Sequence, residues 1–569
     1  MPLKTTISEE QKIKRLKKLK RLLRPLFLHP KHRDMKKNMK TLKTLTLICS
    51  VLLLGVPASC SKNYLDSTPS STDTPLSHGE IVLGGKLNNP YTTENMTKAL
   101  EAVCTQDVLE ENFPITKAGD RLSPTHYYVR FLPLNNKEAE AVYDLGLPIY
   151  DHPLDYKIEQ DGDWYHDPVI PEYDITYLYT VAPVDFDFKG LKHEVLSNCY
   201  IPEEDTKGSP GYWAEVERTA FIITGNEDCL TKASSPAYTP EGQILMSDPD
   251  FNGGKPFGVS EVKVMCNVFV KFCTTFTDRD GRYKMSKSYA KNPRYRLVFE
   301  NNKGFCQGFN LIILRASVCA LGTASPQGLN ATITPSSDPT MYRRCAVNNA
   351  AYDYYGRGDK ADMNVSLPPS DLRIWTLTPF QASSAPMAHH NTLTSMTAIK
   401  TVLGAFAPLV NFFLPDLILG ISNGTSYKYI YNTVTHELSH ASHFSSVGAS
   451  YWNTYINYIL DCLIKDGLDC YGDGNRENAG YCEVGEMWAY YLSSEMFRER
   501  YALSGPDQGS QYWFRPQILT YLSERGFSKQ QIFAALQGGV TSRDALWDKL
   551  LDLYPSKRTL INQAFENYK

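Results

Sequence analysis

The stretch TVTHELSHASHF, Thr433 to Phe444, constrains this chain more than any other part of it. Ile430, Val434, Leu438 and Ala441 recur at helical spacing and fall within about 80° of arc. The segment is therefore expected to be a helix with that face in a core. His436, His440 and His443 lie within about 60° of one another on another side, outside the apolar stripe. His436 and His440 are four residues apart, so one turn separates them and both imidazoles can turn to one ion. His443 is seven residues beyond His436, about 10.5 Å along a straight helix, which is far for sharing that ion. It reads as a supporting contact and stays an alternate ligand. Glu437 follows the first histidine, turned to where it can reach a water on the ion without displacing it.

Such a site needs a third protein ligand and an open fourth position. The run Glu477 to Phe497 reads as a helix from about Cys482. Val484, Trp488, Tyr491 and Leu492 form its apolar face, and Glu483, Glu486 and Tyr490 share the opposite side. On helical position alone both glutamates are open as the third ligand.

His436-Glu437-x-x-His440 has the H-E-x-x-H form of zincins. With the second helix it resembles gluzincin-type zinc metallopeptidases, in particular zinc-binding peptidase lipoproteins of Bacteroidota-type bacteria. Their glutamate helix carries E-x-x-A or E-x-x-x-D, and Glu486-Met487-Trp488-Ala489 has the first form. Mucin-directed peptidases with the same motif match less well, because their third ligand follows sooner. The resemblance covers about 150 residues around the motif. It implies Zn2+ on His436, His440 and Glu486, with Glu483 as the alternate to Glu486. The glutamate left over would hydrogen-bond a zinc histidine. It implies Glu437 as general base of a peptidase, and a Tyr or His on the oxyanion. Tyr490 is the candidate for that role from its helical side. In this superfamily the strand before the motif holds the substrate backbone, which here would be Asp416 to Ile421.

The N-terminus sets the compartment. Residues 1–38 carry thirteen Lys/Arg against three Asp/Glu. Met39 to Cys60, MKTLKTLTLICSVLLLGVPASC, has a short basic start, an apolar run from Leu45 to Val56, and small residues before a cysteine. That is the anatomy of an export signal, with an apolar run too short to span a bilayer. The ending resembles a bacterial lipobox in which Cys60 is lipidated, although Pro57 stands where an aliphatic residue is usual. Cleavage near Ala58 or Ser59 without lipid is the alternative. Residues 1–38 then read as an upstream extension that need not be in the product. Beyond residue 59 there are 44 basic and 59 acidic residues, a net of −15. An acidic exported chain is a poor nucleic-acid binder. Of the thirteen cysteines, eleven remain after Cys49 and Cys60 are set aside, so at least one is unpaired.

The rest divides by texture. Residues 60–79 are rich in Ser, Thr and Pro and read as a flexible tether. Residues 80–235 alternate strand-like and helix-like runs: Thr125 to Leu134, Lys137 to Gly146 and Thr176 to Val184. Residues 236–330 hold short strands with turn signals, including Asp278-Arg279-Asp280-Gly281 and an apolar strand from Asn310 to Leu314. The order of a strand, Thr277-Asp278-x-Asp280-Gly281-x-Tyr283 and then Tyr295-x-Leu297-x-Phe299-Glu300 resembles the carboxypeptidase regulatory-like domain, a transthyretin-like β-sandwich. Residues 331–569 read as mainly helical, with a buried helix at Thr392 to Phe413 and a C-terminal run, Trp513 to Tyr568, that closes the cleft or caps the fold. The tripeptide Arg357-Gly358-Asp359 is too short to carry meaning.

The expected fold is thus multidomain α+β: an N-terminal α+β domain, a transthyretin-like β-sandwich, and a mainly helical zincin-like catalytic domain. The expected activity is hydrolysis of a protein or peptide substrate. The expected location is the outer membrane or cell surface of a Gram-negative bacterium, through a lipid anchor. A surface lipoprotein that binds peptide or glycan over a structural or relic zinc site is the competing reading. A zinc hydrolase acting on other bonds fits the same motif.

Overall fold

A computed structural model describes residues 78–106, 122–171, 174–202, 210–227, 237–308, 315–358, 360, 363–378, 383–391, 414–466, 471–503 and 512–569. Cys60, the signal at 39–59, the expected helix at Thr392 to Phe413 and the expected strand at Asn310 to Leu314 lie outside these residues. The described residues belong to one unit. They form a mixed α and β fold with several sheets.

The first part holds a three-stranded antiparallel sheet. His126–Phe131 is its central strand, flanked by Leu178–Pro183 and Glu194–Cys199. In residues 126–131 Tyr128, Val129 and Phe131 are buried, and because the adjacent Tyr128 and Val129 point to opposite faces, both faces of this strand are covered. The helices Thr93–Gln106 and Pro210–Ile223 pack against each other.

A seven-stranded sheet is the frame for the rest. Val262–Val268, Lys271–Phe276, Arg294–Asn301 and Val318–Thr323 form its antiparallel part. Phe305–Gly308 joins Arg294–Asn301 antiparallel and pairs in parallel with Leu372–Leu377. Leu372–Leu377 pairs in parallel with Leu417–Gly420. One sheet therefore takes strands from both sides of residue 330. The turn expected at residues 278–281 closes between Lys271–Phe276 and Arg282–Lys284. There Asp278 Oδ1 accepts from the backbone N–H of Asp280 and of Arg282. Gly281 is required at this turn: its φ is +79°, and a Cβ would stand 2.1 Å from the Ile244 carbonyl oxygen.

From the last strand of that sheet the chain enters the helix Tyr427–Asp466, which carries the histidines. It packs on Ala479–Tyr501 and on Pro339–Gly358. Both of its sides are consequently buried. Ile430, Val434, Leu438 and Ala441 are covered as the apolar period requires, and so are His436, His440 and His443. The buried hydroxyls of Thr435 and Ser439 donate to the carbonyls of Tyr431 and Thr435, so neither is left without a partner. No described helix is long and apolar enough to cross a membrane.

Candidate metal centre

Three donors converge between the two helices. His436 Nε2 lies 3.5 Å from Glu486 Oε2, and His440 Nε2 lies 3.6 Å from Glu486 Oε1. These separations are longer than ordinary hydrogen bonds. They match two ligands on one ion: zinc at 2.0–2.2 Å from each donor, with tetrahedral angles, puts donors about 3.3–3.6 Å apart. One ligand atom from each of the three residues falls within 4.8 Å of the others.

The charge states fit as well. Burial works against ionising Glu486, but the His440 and His436 imidazoles outweigh it and hold its carboxyl well below the usual range. Burial, the largest influence on His436, holds its imidazole below the ordinary value. A metal ion would take the place of the imidazole protons that hold Glu486 ionised here. Glu437 is 3% exposed, and its Oε2 has no hydrogen-bond partner among the described residues. Burial, then the charge of Glu486, pushes its carboxyl well up. A buried carboxylate oxygen without a partner, beside three converging donors, is what a site made for an ion and a water leaves behind.

The backbone breaks once inside the histidine helix. Gly448 has φ 80° and ψ 175°, a conformation essentially confined to glycine. Beyond the break, Trp452 and Tyr455 reach His440, with ring centroids at 5.8 and 5.9 Å. The Tyr455 hydroxyl donates to Glu486 Oε1 at 2.6 Å. This contact ties the first helical segment, the second and the glutamate helix together. Sequence reasoning missed Tyr455. The one available signal was a glycine inside a helical run, which marks a possible break but not what lies beyond it.

The remaining expected residues separate. Tyr490 lies edge-on to His436, with centroids 4.6 Å apart, and stacks on Phe514. Glu483 is not with the donors. Its Oε2 accepts from the Arg543 backbone N–H at 2.9 Å, at the start of the helix Arg543–Leu553. Three residues along a helix turn a side chain by about 60°, enough for Glu483 and Glu486 to face different neighbours. The expectation that Glu483 would brace a histidine is corrected accordingly. His443 also stands apart, with its ring against Tyr451 and Trp452 and neither nitrogen hydrogen-bonded among the described residues. Burial, then the nearby His440, pulls its imidazole down to about 3, so it is neutral. Leu417–Gly420 follows the expected position of the strand at Asp416 to Ile421, but its outer side is taken. Ile418 exchanges both backbone hydrogen bonds with Ser384, each 2.8 Å, so a substrate backbone cannot add there at Ile418.

A second group with metal-like composition, His78, Asp163 and Cys319, reads differently. Arg344 donates to Asp163 Oδ2 and Cys319 Sγ at 2.9 and 2.8 Å. The His78 ring nitrogens face Asp163 and Asp338 at 2.9 and 2.7 Å. Burial lowers the His78 imidazole, but those carboxylates outweigh it and push it up to about 12. Two cations on two carboxylates make a part-buried ion network, in which the donors are engaged with one another.

No family model, curated protein or solved structure matches the chain.

Proposed function

We propose that the protein is a zinc-dependent peptidase of gluzincin type acting at the cell envelope, with His436, His440 and Glu486 as the metal ligands. The observation that carries this reading is the convergence of two imidazoles and one ionised carboxylate at ligand spacing. Two histidines and a glutamate are the donor set of zinc hydrolases with an open fourth position. Bound zinc would supply a Lewis acid and a water able to lose its proton near neutral pH. Glu437 would take a proton from water there and pass it to the leaving amine as the peptide C–N bond breaks. Tyr490, held against His436, offers a hydroxyl to the carbonyl oxygen as negative charge develops there. Tyr455 holds Glu486 in place. In this reading Cys60 carries a lipid anchor, and the sheet shared by residues 262–323 and 372–420 supports the zincin-like helices that follow it.

One observation favours a second reading. The three ligand side chains are only 3–4% exposed, and enclosure of that degree also suits a structural ion. The test is hydrolysis of a mixed peptide library by zinc-loaded parent and Glu437→Gln proteins. A peptidase loses cleavage in Glu437→Gln while keeping its zinc. Zinc-loaded parent protein that cleaves nothing, or a variant as active as the parent, overturns the peptidase reading.

A further inference from the structure

The strands Val262–Val268 and Lys271–Phe276 form one hairpin, closed by the two residues Phe269 and Val270. They pair antiparallel from Lys263 with Phe276 to Val268 with Lys271, without a register shift. In that register Cys266 stands directly opposite Cys273. Opposed side chains of an antiparallel pair lie on the same face of the sheet. Their Cα atoms are about 4.5–5.5 Å apart, inside the range of roughly 4.4–6.8 Å that a disulfide spans. The other cysteines on described strands face different residues: Cys199 faces His126, Cys306 faces Glu300 and Arg373, and Cys319 faces Leu297.

Both residues are thiols in this structure, and both are buried. Burial pushes the Cys266 thiol up to about 12, the Tyr289 hydroxyl opposes that, and the Cys273 thiol and backbone N–H are both close enough to act on it. A thiol held this way exchanges slowly once the fold has closed. The hairpin is local, though, with its cysteines on either side of a two-residue loop. A hairpin forms in roughly 1–10 microseconds, so the two sulfurs meet before the core covers them. Lys271–Phe276 ends the strand order of the seven-stranded sheet. A covalent link at Cys273 fastens this last strand to its neighbour.

We propose that Cys266 and Cys273 close a cross-strand disulfide when the chain folds in an oxidising compartment. The step is thiol–disulfide exchange with a small disulfide of the glutathione type. The Cys273 thiolate attacks one sulfur of that disulfide, breaks its S–S bond and releases one thiol, leaving a mixed disulfide. The Cys266 thiolate then attacks the Cys273 sulfur and releases the second thiol. Two protein thiols give up their protons, and two electrons pass to the small disulfide, which leaves as two thiols. Export of the chain would supply such a compartment. The link does not depend on the metal centre or on the peptidase reading.

The test refolds the unfolded, reduced full chain in a mixture of reduced and oxidised glutathione and then blocks free thiols with iodoacetamide. Trypsin cuts after Lys263, Lys271 and Arg279, so the two cysteines fall on separate peptides, Val264 to Lys271 and Phe272 to Arg279. Mass spectrometry is expected to find these peptides joined, two hydrogens lighter than their sum, as the main form of both. Dithiothreitol is expected to lower the urea midpoint of the oxidised parent more than that of a protein carrying both Cys266→Ser and Cys273→Ser. Recovery of both peptides mainly as alkylated thiols from refolded protein overturns the proposal, as do links from either to other cysteines, or equal midpoint shifts in parent and variant. If the reduced chain does not refold, the same digestion is made on chain secreted into the periplasm of a bacterial host, and the same peptide outcomes decide.

Discussion

Tyr455→Phe removes one oxygen atom and tests how the ligand glutamate is held. The hydroxyl donates to Glu486 Oε1 at 2.6 Å, and both residues are buried. Phenylalanine keeps the ring against His440 and Trp452, so the packing survives and only the hydrogen bond is lost. A hydrogen bond to a charged group contributes about 1.5–3 kcal/mol, and no water can readily replace it in so enclosed a place. Two effects follow. The metal-free protein loses about 1.5–3 kcal/mol of stability, read as a lower urea midpoint at unchanged slope. Zinc affinity falls about 10–100-fold, because Glu486 is no longer fixed between the two histidines. The assay is competition for zinc against a chromogenic chelator at fixed pH, with far-ultraviolet circular dichroism to show that the fold is intact. A folded Tyr455→Phe protein that holds zinc as tightly as the parent would refute the claim that this hydroxyl organises the site.

Two further outcomes are expected. Gly448→Ala forces a side chain into φ 80° and ψ 175°, which costs about 1–3 kcal/mol, and it weakens zinc binding by displacing Tyr455; urea unfolding and the same chelator competition measure both. His152 is buried, and burial, then the Arg296 charge, lowers its imidazole to about 4 against an ordinary 6.5. The unfolded chain therefore takes up a proton first as pH falls, so the contribution is whole above pH 6.5 and is lost between 6.5 and about 4. His152→Gln should remove about 3 kcal/mol of pH-dependent destabilisation across that window, seen in urea midpoints at pH 7 and pH 4.5.

Much of the local structure could be read from periodicity. The stripe Ile430, Val434, Leu438 and Ala441 is buried, a strand at residues 126–131 falls within the strand-like run Thr125 to Leu134, and the turn at 278–281 stands where turn chemistry places it. What periodicity cannot show is how many neighbours an element has. The histidine side of Tyr427–Asp466 carries no apolar signal, yet a second helix covers it. For the same reason spacing alone could not separate Glu486 from Glu483: the distinction depends on Tyr455 and Arg543, 31 and 60 residues away in sequence. The parallel pairing of Phe305–Gly308 with Leu372–Leu377 is likewise a contact between distant segments, with no local trace at the boundary drawn at residue 330.

The most direct test of the account is the zinc content of the protein from Ser61 to Lys569, purified without chelator, dialysed against trace zinc and measured by elemental mass spectrometry. About one zinc per chain is expected in the parent and in Glu483→Gln, and none in His440→Ala. A parent without zinc, or zinc retained in His440→Ala, would contradict the assignment of His436, His440 and Glu486 as a metal centre.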